Sequence, residues 1–344
     1  MFDDDAAHNA APDTAPASSA APGPMRWNGW GDPAKAKELP GAVRALLPVK
    51  LGRIPRSAPA ASFDEVDLAA SALEEADRLA LAAIVGEEHV RTDREARIRH
   101  SGGKSTLDLL RRRKVQQLAP DAVIDPADDG EIAAVLRLAS ERGIAVVPFG
   151  GGTSVVGGLD PVGGTGRTVV SLHLHRLSGL VALDTHSGEA TLRAGTTAPE
   201  AEALLAARGF ELGHYPQSFR YATIGGFAAT RSSGQNSSGY GRFDAMVTGL
   251  RVVTPSGELD LGRAPGSAAG PDLVQLFLGS EGAFGVITEV RLRVHPVPEV
   301  RLHDAWTFRD FTAGANALRQ VAQLGTGPTV IRLSDEAETG VSLA

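Results

Sequence analysis

The sequence predicts a mixed helix and strand fold, α/β or α+β, and three observations carry the prediction. From Asp121 onward, helical and strand periodicity alternate with no long uniform run of either. Glycine supplies 40 of 344 residues, about 12% against a usual ~7%, and backbone without a Cβ can approach another object closely. The chain is 42% hydrophobic and 22% charged with no cysteine, the balance of a globular protein whose core is not held by disulfides. At ~100–200 residues per domain, the length suits two domains or one large domain with appendages.

Taken in order, residues 1 to about 24 are Ala, Pro, Ser and Asp with almost no large apolar side chain, and read as a disordered tail. Met25 to Arg56 carries Trp27, Trp30 and several prolines, which predicts an extended strap with short helical turns whose aromatics dock on the body. Asp64 to Val90 has Val66, Leu68, Leu73, Leu79 and Ile84 at helical spacing between acidic residues, which predicts one or two amphipathic helices. Leu107 to Val115 predicts a short basic helix, so that 25–115 group as an N-terminal strap and helical region.

At Asp121 the pattern changes. Ala122 to Ile124 is a short apolar run, Asp128 opens a helix through Arg142 that stops at Gly143, and Ile144 to Val147 is a buried strand. Thr168 to Leu174, Leu180 to Asp184 and Ala190 to Ala194 predict strands, before a helix from Pro199 to Arg208 capped by Thr196 or Thr197. Leu250 to Thr254 and Glu258 to Leu261 flank the turn Pro255-Ser256-Gly257, a helix covers Asp272 to Leu278, and Val286 to Val294 is a long strand. These elements form one domain, 116–298. Past Pro298, a strand near Leu302 to Phe308, a helix from Phe311 to Leu324, a strand from Thr329 to Leu333 and a helix opening at Asp335 start a further unit. That unit, 299–344, reads as unfinished, as expected of a shortened chain.

Several functions are disfavoured by the same residues. Without cysteine there is no thiolate nucleophile, zinc knuckle or iron–sulfur ligand set. A net charge of −7 disfavours nucleic acid as a partner, and no apolar run approaches the ~18 residues of a transmembrane segment. The acidic start Met1-Phe2-Asp3-Asp4-Asp5 is unlike a secretory or transit signal, which leaves the cytoplasm as the default location. Gly103-Lys104-Ser105 resembles the end of a phosphate-binding loop, but Ile98 stands where that loop needs glycine. It reads as a loop before a basic helix. Among the nine histidines, His100, His173, His175, His186 and His214 show no metal-ligand spacing; His173 and His175 read as alternating sheet residues, and no metal is expected.

Pro148-Phe149-Gly150-Gly151-Gly152-Thr153-Ser154-Val155 leaves a buried strand and sets three glycines and two hydroxyls at a turn. Consecutive N–H groups without side chains in the way form a nest for an anion such as pyrophosphate. The dinucleotide fingerprint G-x-G-x-x-G fails here, because its third glycine would fall at Val155. A plain tight turn is the competing reading. Two further stretches set small residues where the chain can lie against a flat or charged object. One is Gln217-Ser218-Phe219-Arg220-Tyr221-Ala222-Thr223-Ile224-Gly225-Gly226, continued by Thr230-Arg231-Ser232-Ser233-Gly234. The other is Gly279-Ser280-Glu281-Gly282-Ala283-Phe284-Gly285-Val286-Ile287.

Together these motifs resemble the FAD-binding module of the vanillyl-alcohol oxidase and p-cresol methylhydroxylase (PCMH-type) flavoprotein superfamily, and most of all its alkyldihydroxyacetonephosphate synthase branch. The similarity reaches upstream through Trp27-Asn28-Gly29-Trp30-Gly31-Asp32 and covers nearly everything from Met25 on. The resemblance implies an α+β PCMH-type fold of two α/β subdomains, with an N-terminal helical region and the start of an α/β cap. It implies FAD as cofactor, with Pro148 and residues 149–154 around the pyrophosphate. Residues 217–223, Gly225, Gly226 and 230–233 would follow the ribityl chain and isoalloxazine, where Ser218, Thr223, Thr230 and Ser233 can hydrogen-bond. Glu281 to Ile287 would lie at the adenosine end, with Gly282 and Gly285 allowing close approach and Ile287 a backbone contact. Arg231, and more weakly Arg220, would sit near phosphate or substrate.

Members with flavin tethered through this loop carry His there, whereas this chain has Gly152 and Thr153, so the resemblance implies noncovalent FAD. Catalytic residues of the superfamily come from the cap and C-terminal segment, and none is carried over. The expected function is an FAD-linked oxidoreductase taking a hydride from a small hydroxylated substrate, with a homodimer as the oligomeric expectation. One alternative is an alkylglycerone-phosphate synthase-like transferase working through an adduct at the flavin N5. Another is a flavin-binding fragment without turnover.

Overall fold

The computed structural model describes residues 23–52, 60–162, 166–262, 268–325 and 327–342. Two sheets organise it. The first is four-stranded: Val90–Arg91 (β1), Ala122–Ile124 (β2), Ala145–Phe149 (β3) and Val169–His173 (β4), in the order β1-β2-β4-β3. Strands β2, β4 and β3 run parallel, and β1 is antiparallel to β2. The helix Asp129–Arg142 makes the crossover between β2 and β3. Asp128 Oδ1 accepts from the Glu131 N–H at 2.9 Å to start it, and Gly143, at φ 69°, ends it in the left-handed conformation that glycine adopts without strain. Ile132, Val135, Leu136 and Ala139 recur at helical spacing and are buried against Ile124, Val170 and Leu172 of the sheet.

The second sheet is five-stranded and wholly antiparallel: Leu180–Asp184 (β5), Glu189–Arg193 (β6), Val247–Thr254 (β7), Gly257–Leu261 (β8) and Val286–Arg293 (β9), in the order β8-β7-β9-β6-β5. In β9, Val290 and Leu292 turn inward while Glu289, Arg291 and Arg293 turn outward, the period-2 pattern of a sheet with one covered face. The helices Ala198–Ala206 and Ile224–Thr230 cover that face, and Ala198, Leu205, Ile224 and Phe227 pack with Leu192, Leu250 and Val290. Val253 and Val286 belong instead to the core of the first sheet, so the two lobes share apolar contact. A charged belt reinforces the junction. Arg193 reaches Asp129 at 3.4 Å and Glu289 at 3.1 Å, and Arg251 reaches the other Asp129 oxygen at 3.4 Å.

The N-terminal region docks on the first lobe. Trp27 is buried against Phe63, Val66 and Ile98, whereas Trp30 is 42% exposed, so only the first aromatic packs into the body as expected. The strap holds a 3-10 turn at Pro33–Lys35 and a helix at Gly41–Leu51. The Trp27 carbonyl accepts from Lys104 Nζ at 2.9 Å and from Arg112 Nη1, and Lys104 Nζ also donates to the Arg26 carbonyl. Lys104 is therefore a buried anchor, in keeping with the loop reading of Gly103-Lys104-Ser105. Ser105 caps the helix Thr106–Arg111, with Ser105 and Asp108 exchanging side-chain and backbone bonds at 3.0 and 2.8 Å.

One expectation is narrowed and two are corrected. Between Asp64 and Val90 only Glu75–Val85 is α-helical. Asp67–Leu68 instead pairs with Gln116–Gln117, and Asp121 holds Ser71 and Ala72 extended through its carbonyl and carboxylate at 3.0 and 2.7 Å. Leu302 to Phe308 and Thr329 to Leu333 form no strands, because a strand needs a ladder partner and neither segment has one among the described residues. Val300, Leu302 and Trp306 are consequently 71–84% exposed. The expected helices at 311–324 and after Asp335 are present, as Phe311–Gln323 and Glu336–Ser342. The disorder expected of residues 1–22 concerns positions outside the described residues. No helix among the described residues is long and apolar enough to cross a membrane.

Burial, followed by the nearby Arg112 and Arg99 charges, brings the Lys104 ammonium down from 10.5 to about 7. Between those values the unfolded chain binds more protons than the folded one, so stability rises with pH across this window, and the full cost of the buried charge remains below pH 7. The urea midpoint should therefore increase from about pH 7 to pH 10, and the increase should be shallower in Lys104→Met; identical slopes would show that Lys104 is not the titrating group.

Candidate functional site

A cleft of about 500 Å³ lies between the lobes. The loop leaving β3 supplies Pro148 to Ser154, the stretch before and along the helix Ile224–Thr230 supplies Gln217, Ser218, Ala222, Thr223, Gly225, Gly226 and Thr230 to Ser233, and the loop before β9 supplies Glu281, Gly282 and Gly285, with Ile287. Segments 48 or more residues apart thus meet at one surface, as the sequence motifs predict. Phe219, Arg220, Tyr221, Ala283, Phe284 and Val286 do not line it. Phe219 packs on Tyr215 and Phe284 on Phe277, while Val286 is buried in the first core. Trp30, Val155, Val156, Leu159, Leu174, Pro216 and Phe227 also line the cleft. The apolar pair Val155-Val156, which Thr153 and Ser154 separate from the glycines, was the legible sign of an apolar wall; Leu174 and Phe227 arrive through tertiary packing and left none.

The triple glycine is required first by the chain itself. A Cβ on Gly151 would meet the Tyr221 carbonyl oxygen at 1.8 Å, and one on Gly150 would meet Thr223 Oγ1 at 2.4 Å. Gly152 has φ 67° and would drive a Cβ to 2.7 Å from the Phe149 ring. The first two positions set the loop against residues 221–223. Meanwhile the N–H groups of Gly151, Gly152 and Thr153 donate to no protein acceptor among the described residues. Unpaired donors clustered on a cleft wall suit an anionic group, and a pyrophosphate fits that requirement.

The hydroxyls divide into two sets. Thr223 Oγ1 accepts from the Gly226 N–H at 3.2 Å and Thr230 Oγ1 donates to the Gly226 carbonyl at 2.9 Å, so both already serve the helix. Ser232 Oγ contacts His214 Nε2 at 3.0 Å, and burial lowers the His214 imidazole to about 4, which keeps it neutral at pH 7. Glu281, at φ 49°, approaches Ser154 Oγ at 3.5 Å, and its carboxyl is raised by burial against the lowering effect of that hydroxyl.

Arg231 lines the cleft, yet its guanidinium is turned to the protein. Nε donates to the Leu278 carbonyl at 3.1 Å, Nη2 to the Gln275 carbonyl at 3.0 Å and Nη1 to Asp244 Oδ2 at 2.8 Å. Its backbone is left-handed at φ 49°, a conformation that non-glycine residues seldom adopt. Arg220 is exposed on the turn before Tyr221. Next to the cleft, His173 ends β4 and His175 lies in the following 3-10 turn, so the two do not alternate on one strand; both meet Asp125.

Comparison with known proteins adds an independent line of observation. A family model described as an FAD binding domain matches residues 120–261. The alkyldihydroxyacetonephosphate synthase of Trypanosoma brucei brucei is 38% identical over 77% of this chain and 43% of its own length. A solved alkyldihydroxyacetonephosphate synthase structure superposes with a TM-score of 0.81 at 30% identity, over 92% of this chain and 63% of that one. The chain belongs to the PCMH-type FAD-binding superfamily. The glycolate oxidase subunit GlcD of Bacillus subtilis (strain 168) is also similar, 29% identical over 64% of this chain and 46% of its length. The chain thus spans less than half the length of these curated relatives. Within the PCMH-type superfamily its fold is α+β and its cofactor is FAD.

Replacing Arg231 by alanine removes three hydrogen bonds and leaves the left-handed backbone unrelieved, so unfolding in urea should show a loss of about 1–3 kcal/mol. A loss under about half a kcal/mol would mean that the latch contributes little.

Proposed function

We propose that the cleft holds FAD noncovalently and that this chain is the cofactor-holding part of an FAD-dependent oxidoreductase acting on a small hydroxylated substrate. The observation that carries this reading is the group of unpaired N–H donors at Gly151, Gly152 and Thr153, set on a cleft lined by all three sequence motifs. In the proposed arrangement those N–H groups hold the pyrophosphate, whose charge they meet without a lysine or arginine. Ser218 and Ser233 lend hydroxyls to the polar chain of the cofactor. Trp30, Val155 and Val156 would offer apolar surface to its flat ring system. Bound FAD supplies a hydride acceptor, and the protein's task is to fix that acceptor and leave one face open to substrate.

A second reading is favoured by the 38% identity and the TM-score of 0.81 to alkyldihydroxyacetonephosphate synthases. Under it, the chain serves a transferase that exchanges an acyl for an alkoxy group without net oxidation. The two readings separate in one measurement on the purified chain loaded with FAD. Anaerobic bleaching of the flavin absorbance by 2-hydroxy acids or alcohols supports the oxidoreductase, whereas acyl-for-alkoxy exchange with no lasting bleaching supports the transferase. Neither signal from a yellow, folded protein would leave a flavin-binding unit without turnover.

Acid precipitation should release the flavin to the supernatant; flavin retained in the pellet would contradict noncovalent attachment. Gly151→Ala should lower the FAD bound per chain, because its Cβ cannot coexist with the Tyr221 carbonyl in the present loop. Gly41→Ala, with nothing near its Cβ, should bind as the parent does. Equal FAD content in both variants, with unchanged circular dichroism, would falsify the role of the loop.

A further inference from the structure

We propose that Asp125, His173 and His175 form a divalent-metal site, of the kind that takes Zn²⁺, at the C-terminal ends of the parallel strands. The ladder between β2 and β4 pairs Ile124 with Leu172, so Asp125, just past the end of β2, comes beside His173, the last residue of β4. The 3-10 turn Leu174–Arg176 then folds back, and the His175 ring lies 4.4 Å from that of His173. Strand ends of this kind are where parallel sheets gather ligand-binding groups.

The distances are those of a metal centre. His173 Nδ1 and His175 Nδ1 lie 3.3 and 3.4 Å from the same oxygen, Asp125 Oδ1. A tetrahedral ion with ligands at ~2.0–2.1 Å separates them by about 3.3–3.4 Å. All three ligand atoms lie within 4.8 Å of one another, and a small rotation of the half-exposed His175 ring closes the remaining edge. His173 Nδ1 is buried, and Asp125 is the polar group that it faces, at 3.3 Å. A buried ring nitrogen in that position needs a proton acceptor or a cation.

The surroundings supply what a ligating carboxylate requires. Asp125 is held by Arg91, with Nε 2.7 Å from Oδ2 and Nη2 3.1 Å from Oδ1, and its side chain is only 4% exposed. Two imidazoles and one carboxylate suit Zn²⁺, and the exposed flank of His175 leaves room for water as fourth ligand. His173 pairs in register with Phe149, whose ring meets it edge-on at 5.6 Å, and Phe149 begins the glycine loop. A metal here would tie together the strand ends beneath that loop. The site stands on its own residues and does not require the FAD reading.

The test uses the purified full chain, stripped with a chelator and titrated with Zn²⁺ alone by calorimetry, alongside His175→Ala and Asp125→Asn. The expected result is one equivalent of Zn²⁺ bound by the parent. Each variant should lose more than the ~10–100-fold that removal of a mere outer-shell partner costs. His175→Ala alters a half-exposed side chain, and an unchanged melting curve without metal confirms that it folds. Zn²⁺ binding that is absent from the parent, or equal in parent and variants, overturns the site and leaves an Arg91–Asp125 ion pair flanked by two histidines.

Discussion

The cleft depends on one steric constraint, the contact of the Gly150-Gly151 backbone with residues 221–223. The loop ends a strand of the first sheet, while 221–223 lead into the helix that covers the second. With the Gly151 Cβ position only 1.8 Å from the Tyr221 carbonyl, two main chains cross at a separation no side chain permits. Beside that crossing, the N–H groups of Gly151, Gly152 and Thr153 have no protein acceptor among the described residues. Glycine here therefore serves chain-to-chain approach before it serves a ligand.

Around the crossing, polar groups fix what apolar packing leaves free. Asp129, Arg193, Arg251 and Glu289 alternate in sign across the junction, so each charge has an opposite neighbour from another element. Arg231 ties the end of the helix Ile224–Thr230 to the carbonyls of Gln275 and Leu278. The strap is held likewise, by carbonyls of Arg26 and Trp27 that receive buried cations. In all three cases the long side chain comes from one segment and the acceptor from a distant one, which makes these links sensitive to the whole fold.

How much could be read beforehand follows from the range of each signal. The helix Asp129–Arg142 was legible to the residue because its cap and its glycine stop are both local. The glycine-rich stretches of the cleft were legible as motifs, and most of their residues do line it. Strands at Leu302 to Phe308 and Thr329 to Leu333 were expected from apolar composition, but composition does not provide a ladder partner. The meeting of Asp125 with His173 was hidden for a related reason. It exists only through the parallel register of β2 and β4, which spacing along the chain does not encode. For Arg231 the residue type suggested an anion, while its αL backbone and three protein acceptors emerge only in three dimensions.

The exposed apolar side chains of Val300, Leu302, Trp306 and Phe311 have a consequence for the molecule in solution. They follow one another along a single stretch, so their attraction for like surfaces is opposed chiefly by the mutual repulsion of chains carrying a net charge of −7. Added salt weakens that repulsion by screening, and sulfate or phosphate also strengthens apolar contact by exclusion from the surface. Both effects push in one direction. Ionic conditions acting on a stretch of some dozen residues thus bear on the colloidal behaviour of this chain.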